Sequence, residues 1–188
     1  MNGIKSKQFK EKYMNTRHRE INTMLIVMTF SLLLVVSIWG YLKFKELDYE
    51  EIKRSEIAQL VKDEGYKKCV YKDSRRFNTI GFGHLIKDNE QFNCISPQQA
   101  VLLLREDYRR AENSVTIKYQ WADDEVKLVL INMTYQMGSS GVSKFKKTLT
   151  YLQQQRYDLA AGELLDSQWA SQTPTRAARL AGRIMAIE

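Results

Sequence analysis

The sequence predicts an α+β fold, mainly helical with one small antiparallel β-hairpin sheet, preceded by a single transmembrane helix. Three observations predict it. From Ile21 to Leu42, 22 consecutive residues carry no formal charge and are dense in Leu, Val, Ile, Met and Phe. Both prolines, Pro97 and Pro174, directly follow a Ser or Thr that reads as a helix cap. Between them and the apolar stretch, Tyr66 to Gly83 changes character, with aromatic and β-branched residues around a polar turn at Ser74–Arg76.

At 188 residues, with nine glycines and two prolines, the chain is neither collagenous nor low-complexity. Two cysteines are too few for a disulfide-built miniprotein. His18 and His84 lie too far apart to make a zinc site by themselves, so no metal and no cofactor is expected. A net charge of +7 suggests at first a phosphate-rich partner. Six Lys/Arg against two Glu give residues 1–20 a net +4, which leaves +3 for everything after them. No basic run with interleaved aromatics follows, so nucleic acid is not an expected partner. The mean hydropathy of -0.44 is likewise an average over unlike parts.

As a helix, residues 21–42 would span about 33 Å, enough to cross a hydrocarbon core. Arg19 and Glu20 close one end and Lys43 the other, with Trp39 and Tyr41 placed as interface anchors. The stretch is too long for a cleaved signal peptide, and no small-x-small site follows it. A buried core helix would carry a polar stripe. It reads as a membrane anchor or as a signal-arrest-release segment that later leaves the bilayer; the run Leu32-Leu33-Leu34-Val35-Val36 favours permanent tethering. The flank 43–56 has four Lys/Arg against five acids, so the positive-inside rule puts the N-terminus in the cytoplasm and the rest in the periplasm. The organisation follows: a basic cytoplasmic arm at 1–20, the transmembrane helix at 21–42, a connecting helix at 43–54 and one domain at 55–188.

Glu46 to Glu64 is expected to be helical, with Ile57, Leu60 and Val61 on an apolar stripe and Gly65 as its stop. The hairpin follows. Ser96-Pro97-Gln98-Gln99 combines a cap, a first-position proline and a capping-box glutamine, so a helix starts there and runs to about Asn113. Ala122 to Met137 forms another, ending at Gly138. Val142 to Leu165 divides into two shorter helices, and Thr173-Pro174 opens a last one rich in Arg and Ala.

The chemistry concentrates where the first helix meets the hairpin. Glu64 lies four residues after Leu60 and shares its stripe, at the negative end of the helix. Partial burial and the helix dipole both disfavour a charge there, and a carboxyl that keeps its proton is what a general acid requires. The plain alternative is a surface Glu at a helix end. A hairpin turning about Arg76 pairs Asp73 with Thr79, roughly 5 Å apart at Cβ, close enough to hold one water. A second carboxylate facing a general acid across a water is the inverting glycosidase arrangement. Ordinary turn chemistry explains Asp73 and Thr79 equally well, and spacing alone does not decide.

Asp63-Glu64-Gly65, Tyr71-Lys72-Asp73 and Thr79-Ile80-Gly81-Phe82-Gly83-His84 together resemble the catalytic signature of phage-type lysozymes, the endolysin family of glycoside hydrolases typified by T-even phages. The resemblance continues through Ile131-Asn132-Met133, Gln136-Met137-Gly138, Leu152-Gln153-Gln154, Arg156 and Gln172-Thr173-Pro174 with Arg176. It covers nearly everything from Ser55 onward. It implies a two-lobed lysozyme-like domain that, as a monomer, hydrolyses the β-1,4 bond between N-acetylmuramic acid and N-acetylglucosamine in peptidoglycan. By the same resemblance Glu64 is the general acid, Asp73 holds or activates the attacking water and Thr79 helps position it. His84 matches a histidine paired with a buried acid, for which Asp107 is the counterpart; this pair is expected to be structural. Arg176 matches an arginine that reaches the catalytic glutamate, Arg179 is placed to hold Asp63, and Gln136 matches a cleft-lining residue. Asn132 and Trp169 are expected in the core near the cleft.

The chain also departs from the family. The segment between His84 and Ser96 is shorter, so the lower lobe should be trimmed. Arg76 stands where the family has a glycine, which leaves two readings: a strained turn, or a cation offered to the acidic stem peptides of peptidoglycan. The resemblance pairs the segment around Cys94 with the strand that carries Cys69, which would bring the two cysteines together; the outcomes are a disulfide or two small buried thiols. A holin is a candidate partner, alongside the inner membrane and peptidoglycan. Two other classes stand beside the muramidase: a membrane-anchored protein that binds peptidoglycan or regulates lysis without hydrolysis, and a lytic transglycosylase, which needs one acid and no Asp73.

Overall fold

A computed structural model describes residues 2–73 and 75–187; Ser74, in the expected polar turn, lies outside them. The elements are α1 (Asn2–Glu64), β1 (Lys67–Lys72), β2 (Asn78–Gly81), β3 (His84–Leu85), α2 (Pro97–Lys118), α3 (Asp124–Val142), α4 (Lys146–Gln153), α5 (Tyr157–Leu165), α6 (Gln168–Gln172) and α7 (Pro174–Met185). The chain divides into two compact units, Met1–Ile52 and Lys53–Glu188.

The first unit is helical, and the side chains of its basic arm, Met14 apart, lie outside the described residues. Leu32, Leu33, Leu34, Val35 and Val36 are each more than half exposed, so the apolar surface is not confined to one stripe. Among the described residues, one stretch, within Met28–Glu64, is long and apolar enough to cross a membrane by length and composition.

The second unit is the α+β domain. Its three antiparallel strands lie in the order β1-β2-β3. Ser96 caps α2 with the full capping box: its side chain accepts from the Gln99 N–H, and Gln99 returns the bond to the Ser96 N–H. Helix α2 runs five residues past Asn113, because Val115 is buried and prolongs its apolar stripe. Helix α3 starts at the Asp123 cap and continues past Gly138, which kinks it at φ 74. The short α6, capped by Ser167, was not foreseen. The sheet rests on the start of α2 through Gly81, where any side chain would meet the Ala100 Cβ at 3.1 Å. No helix forms between His84 and Ser96, only the two-residue β3 and an isolated bridge at Cys94.

Candidate active site

Glu64 is the last residue of α1, and Gly65 after it turns left-handed at φ 67. Leu60, one turn earlier, is fully buried and fixes which way this end of the helix faces. Helix α7 buries Ala177, Leu180, Ala181 and Ile184, and its arginines at 176, 179 and 183 fall on the side that meets α1. Arg176 Nη2 donates to Glu64 Oε1 at 2.8 Å and its Nε to Asp63 Oδ2 at 3.2 Å. Arg179 donates to both oxygens of Asp63, and Arg183 to Glu56 at 2.7 Å. Arg176 is only 6% exposed, so its rigid fork divides between two carboxylates in a largely dry place. Burial raises the Asp63 carboxyl, but hydrogen bonds from Arg179 and Gln59 and the charges of Arg176 and Arg179 outweigh it and hold it below the ordinary value. The Glu64 side chain is one-fifth exposed.

The ladder pairs Tyr71 with Thr79 and Lys72 with Asn78. The expected face-to-face pairing of Asp73 with Thr79 is thereby corrected. The turn is centred one residue earlier, on Arg75 and not on Arg76: the Arg76 N–H donates to Asp73 O at 2.9 Å, the Asp73 N–H to Phe77 O at 3.0 Å, and Arg76 takes φ 67 to rejoin the ladder. Asp73 Oδ1 accepts from the N–H groups of Arg75 and Phe77 at 2.9 and 2.8 Å. Thr79 is buried, with its hydroxyl donating to Phe77 O at 3.2 Å. Tyr71, Asp73 and Thr79 still share one face of the hairpin, with Asp73 diagonal to Thr79. Burial, then the charges of Glu64 and Asp73, raise the Tyr71 phenol, so both carboxylates act on the same ring. Arg76 is exposed, and its left-handed backbone costs about 1 kcal/mol.

His84 is buried in the sheet and bridges two carboxylates: Nδ1 lies 2.8 Å from Asp107 Oδ2, and Nε2 lies 3.0 Å from Glu90 Oε2. Burial opposes a charge on the ring. The hydrogen bond and charge of Asp107, then those of Glu90, outweigh burial and hold the imidazole above its ordinary value. Glu90 is pulled down to about 2, first by the Lys87 N–H and then, against burial, by the imidazole. Cys69 and Cys94 form a disulfide. Trp169 Nε1 donates to Gln136 Oε1 at 2.9 Å, and Asn132 is buried on α3.

The family model for phage lysozyme matches residues 61–183, which include Glu64, the hairpin and the arginines of α7. The chain belongs to the phage lysozyme family. Among its relatives, "Probable T4-type lysozyme 2" of Dictyostelium discoideum is 36% identical, over 63% of this chain and 86% of the relative. "Probable T4-type lysozyme 1" of the same organism is 30% identical, over 67% and 91%. "Peptidoglycan hydrolase gp36" of Pseudomonas phage phiKMV is 27% identical, over 66% of this chain but 14% of the relative.

Three residues of this phage lysozyme family domain escaped the sequence reading. Glu90 is one; it lies six residues after His84 in a loop without periodicity, so nothing local pointed to it. Tyr71 is another, although the pattern that carries the resemblance contains it. The third is Tyr135, whose hydroxyl donates to Phe82 O at 2.8 Å. Beside Trp169 lies an open cavity of about 560 Å³ whose lining includes Lys144, Lys146, Lys147 and Glu163.

Proposed function

We propose that this protein is an endolysin-type muramidase that hydrolyses the β-1,4 bond between N-acetylmuramic acid and N-acetylglucosamine in peptidoglycan, for lysis of a host cell. The observation that carries the reading is the Glu64 carboxyl, held by Arg176 at 2.8 Å and acting with Asp73 on the one ring of Tyr71. Glu64 gives its proton to the glycosidic oxygen as the bond to C1 breaks. A water attacks C1 from the opposite face, and Asp73 takes the proton that the water loses; the product is inverted at C1. Asp73 Oδ1 is occupied by two backbone N–H groups, which leaves Oδ2, with Arg75 Nε at 3.7 Å, as the oxygen for the water. Thr79 orients that water through its lone pairs. The apolar helix holds the enzyme at the inner membrane with residues 1–20 in the cytoplasm and the catalytic domain in the periplasm, where it reaches glycan near that membrane.

Product analysis on purified peptidoglycan tests the chemistry. Hydrolysis yields a new reducing end and fails with Asp73→Asn, by about a hundredfold or more. An anhydro-sugar product with Asp73→Asn still active would make the protein a lytic transglycosylase. Glu64→Gln is expected to abolish turnover, and a fully folded Glu64→Gln protein that still clears peptidoglycan would end the assignment.

A further inference from the structure

We infer that Tyr135 is a positioning residue for Glu64, its hydroxyl fixing the Phe82–Gly83 peptide that walls the proton-bearing oxygen of the acid. The inference rests on the reading of Glu64 as general acid. Arg176 donates to Oε1, so a loaded acid carries its proton on Oε2. Gly83 stands against that oxygen: a first side-chain carbon built there would lie 3.7 Å from Glu64 Oε2. Gly83 is exposed, at φ 86, so this wall lies on the open side of the site, where a sugar can come within reach of Oε2.

What holds the wall is not the sheet. The β2–β3 pairing ends at Ile80 and His84, and the two residues of the turn, Phe82 and Gly83, lie beyond it. The Phe82 side chain is fixed, buried and packed at 5.7 Å on the Tyr66 ring. Its carbonyl goes to Tyr135 on α3 at 2.8 Å. Because the peptide is planar, holding that oxygen also sets the orientation of the Gly83 N–H and the position of its Cα. The groups around the phenol are Asp107 on α2, Glu64 on α1, Arg176 on α7 and Tyr71 on β1. Burial above all, then the charges of Asp107 and Glu64, push the phenol far up, so it is a protonated donor at every working pH.

The test uses the full-length protein in detergent with Tyr135→Phe, which deletes one oxygen from a ring already packed in the domain. Without the bond the turn loosens and water reaches Glu64. We expect kcat to fall about tenfold with KM within about twofold, and the alkaline limb of the pH–rate profile to move about half a unit lower. Tyr157→Phe, which removes a bond of 3.0 Å to Asp123 at the start of α3, should lower stability while leaving kcat and profile unchanged. If Tyr135→Phe lowers the melting temperature but leaves kcat and the limb as in the parent, Tyr135 is only a brace and the inference is overturned. Should Tyr135→Phe not fold, 3-fluorotyrosine at position 135 keeps ring and hydroxyl while strengthening the donor. A moved limb then supports the inference, and an unmoved one overturns it. Glu64→Gln assayed alongside separates the two failures. Retained turnover overturns the general-acid reading and this inference with it. An inactive Glu64→Gln beside an unaltered Tyr135→Phe overturns this inference alone.

Discussion

His84 sits between two carboxylates in the sheet, and its pH dependence has a definite sign. The folded imidazole titrates above the ordinary 6.5, so its share of stability is whole below about 6.5 and is lost as pH rises through the folded value. Glu90 is depressed from 4.5 to about 2, so its share is whole above 4.5 and is lost as pH falls through about 2. The cluster therefore stabilises the domain most between the two ordinary values. His84→Asn should cost about 2 kcal/mol near pH 5.5 and distinctly less at pH 9, read from denaturant unfolding at both values. A cost that did not change with pH would mean that the ring serves only as packing. At this scale the backbone of Arg76 answers the first of the two readings that the sequence left open, the strained turn. The residue is both conformationally strained and exposed as a cation on the tip of the hairpin.

Among the elements, β1 carries Tyr71 and leads to Asp73, and its outer edge is stitched to the segment before α2. The Val70 N–H donates to Asn93 O at 3.0 Å and the Ile95 N–H to Lys68 O at 2.8 Å, with the Cys69–Cys94 disulfide between them. The bond closes a separation of 25 residues, so removing it should cost about 3 kcal/mol. We expect dithiothreitol, or Cys69→Ser with Cys94→Ser, to lower both the melting temperature and the lytic rate. If neither changed, the backbone ladder alone would suffice to hold β1. Element starts were legible because caps are local: Ser96-Pro97 announces α2 within four residues. The hairpin register was not legible. It turns on a left-handed Arg76, which the residue type disfavours; the Asp73 carboxylate folded into its own turn is ordinary for Asp and does not by itself fix which residues pair. The stripe made Glu64 a candidate, and the resemblance supplied its role. Its guanidinium partner is 112 residues away, so only the resemblance connected the two. The Tyr135–Phe82 bond, which spans 53 residues, left no periodic trace.

For the whole molecule, +4 of the +7 that first suggested a phosphate-rich partner lies in the first 20 residues, and in the proposed topology that charge serves as an orientation signal. Permanent tethering predicts that peptidoglycan-clearing activity stays with the membrane fraction before and after depolarisation. Activity that moves to the soluble fraction on depolarisation would make the segment a releasable one. Where α1 ends also matters for any severed form of the enzyme. Glu56, Leu60, Asp63 and Glu64 all belong to the domain packing around α7, although they are the last turns of the helix that began at Asn2. A protease could free an intact hydrolase only by cutting ahead of Lys53. A cut between Lys53 and Glu64 would strip Glu56 or Leu60 from the packing that seats the acid, and a cut just after Glu64 would leave the acid itself on the stump.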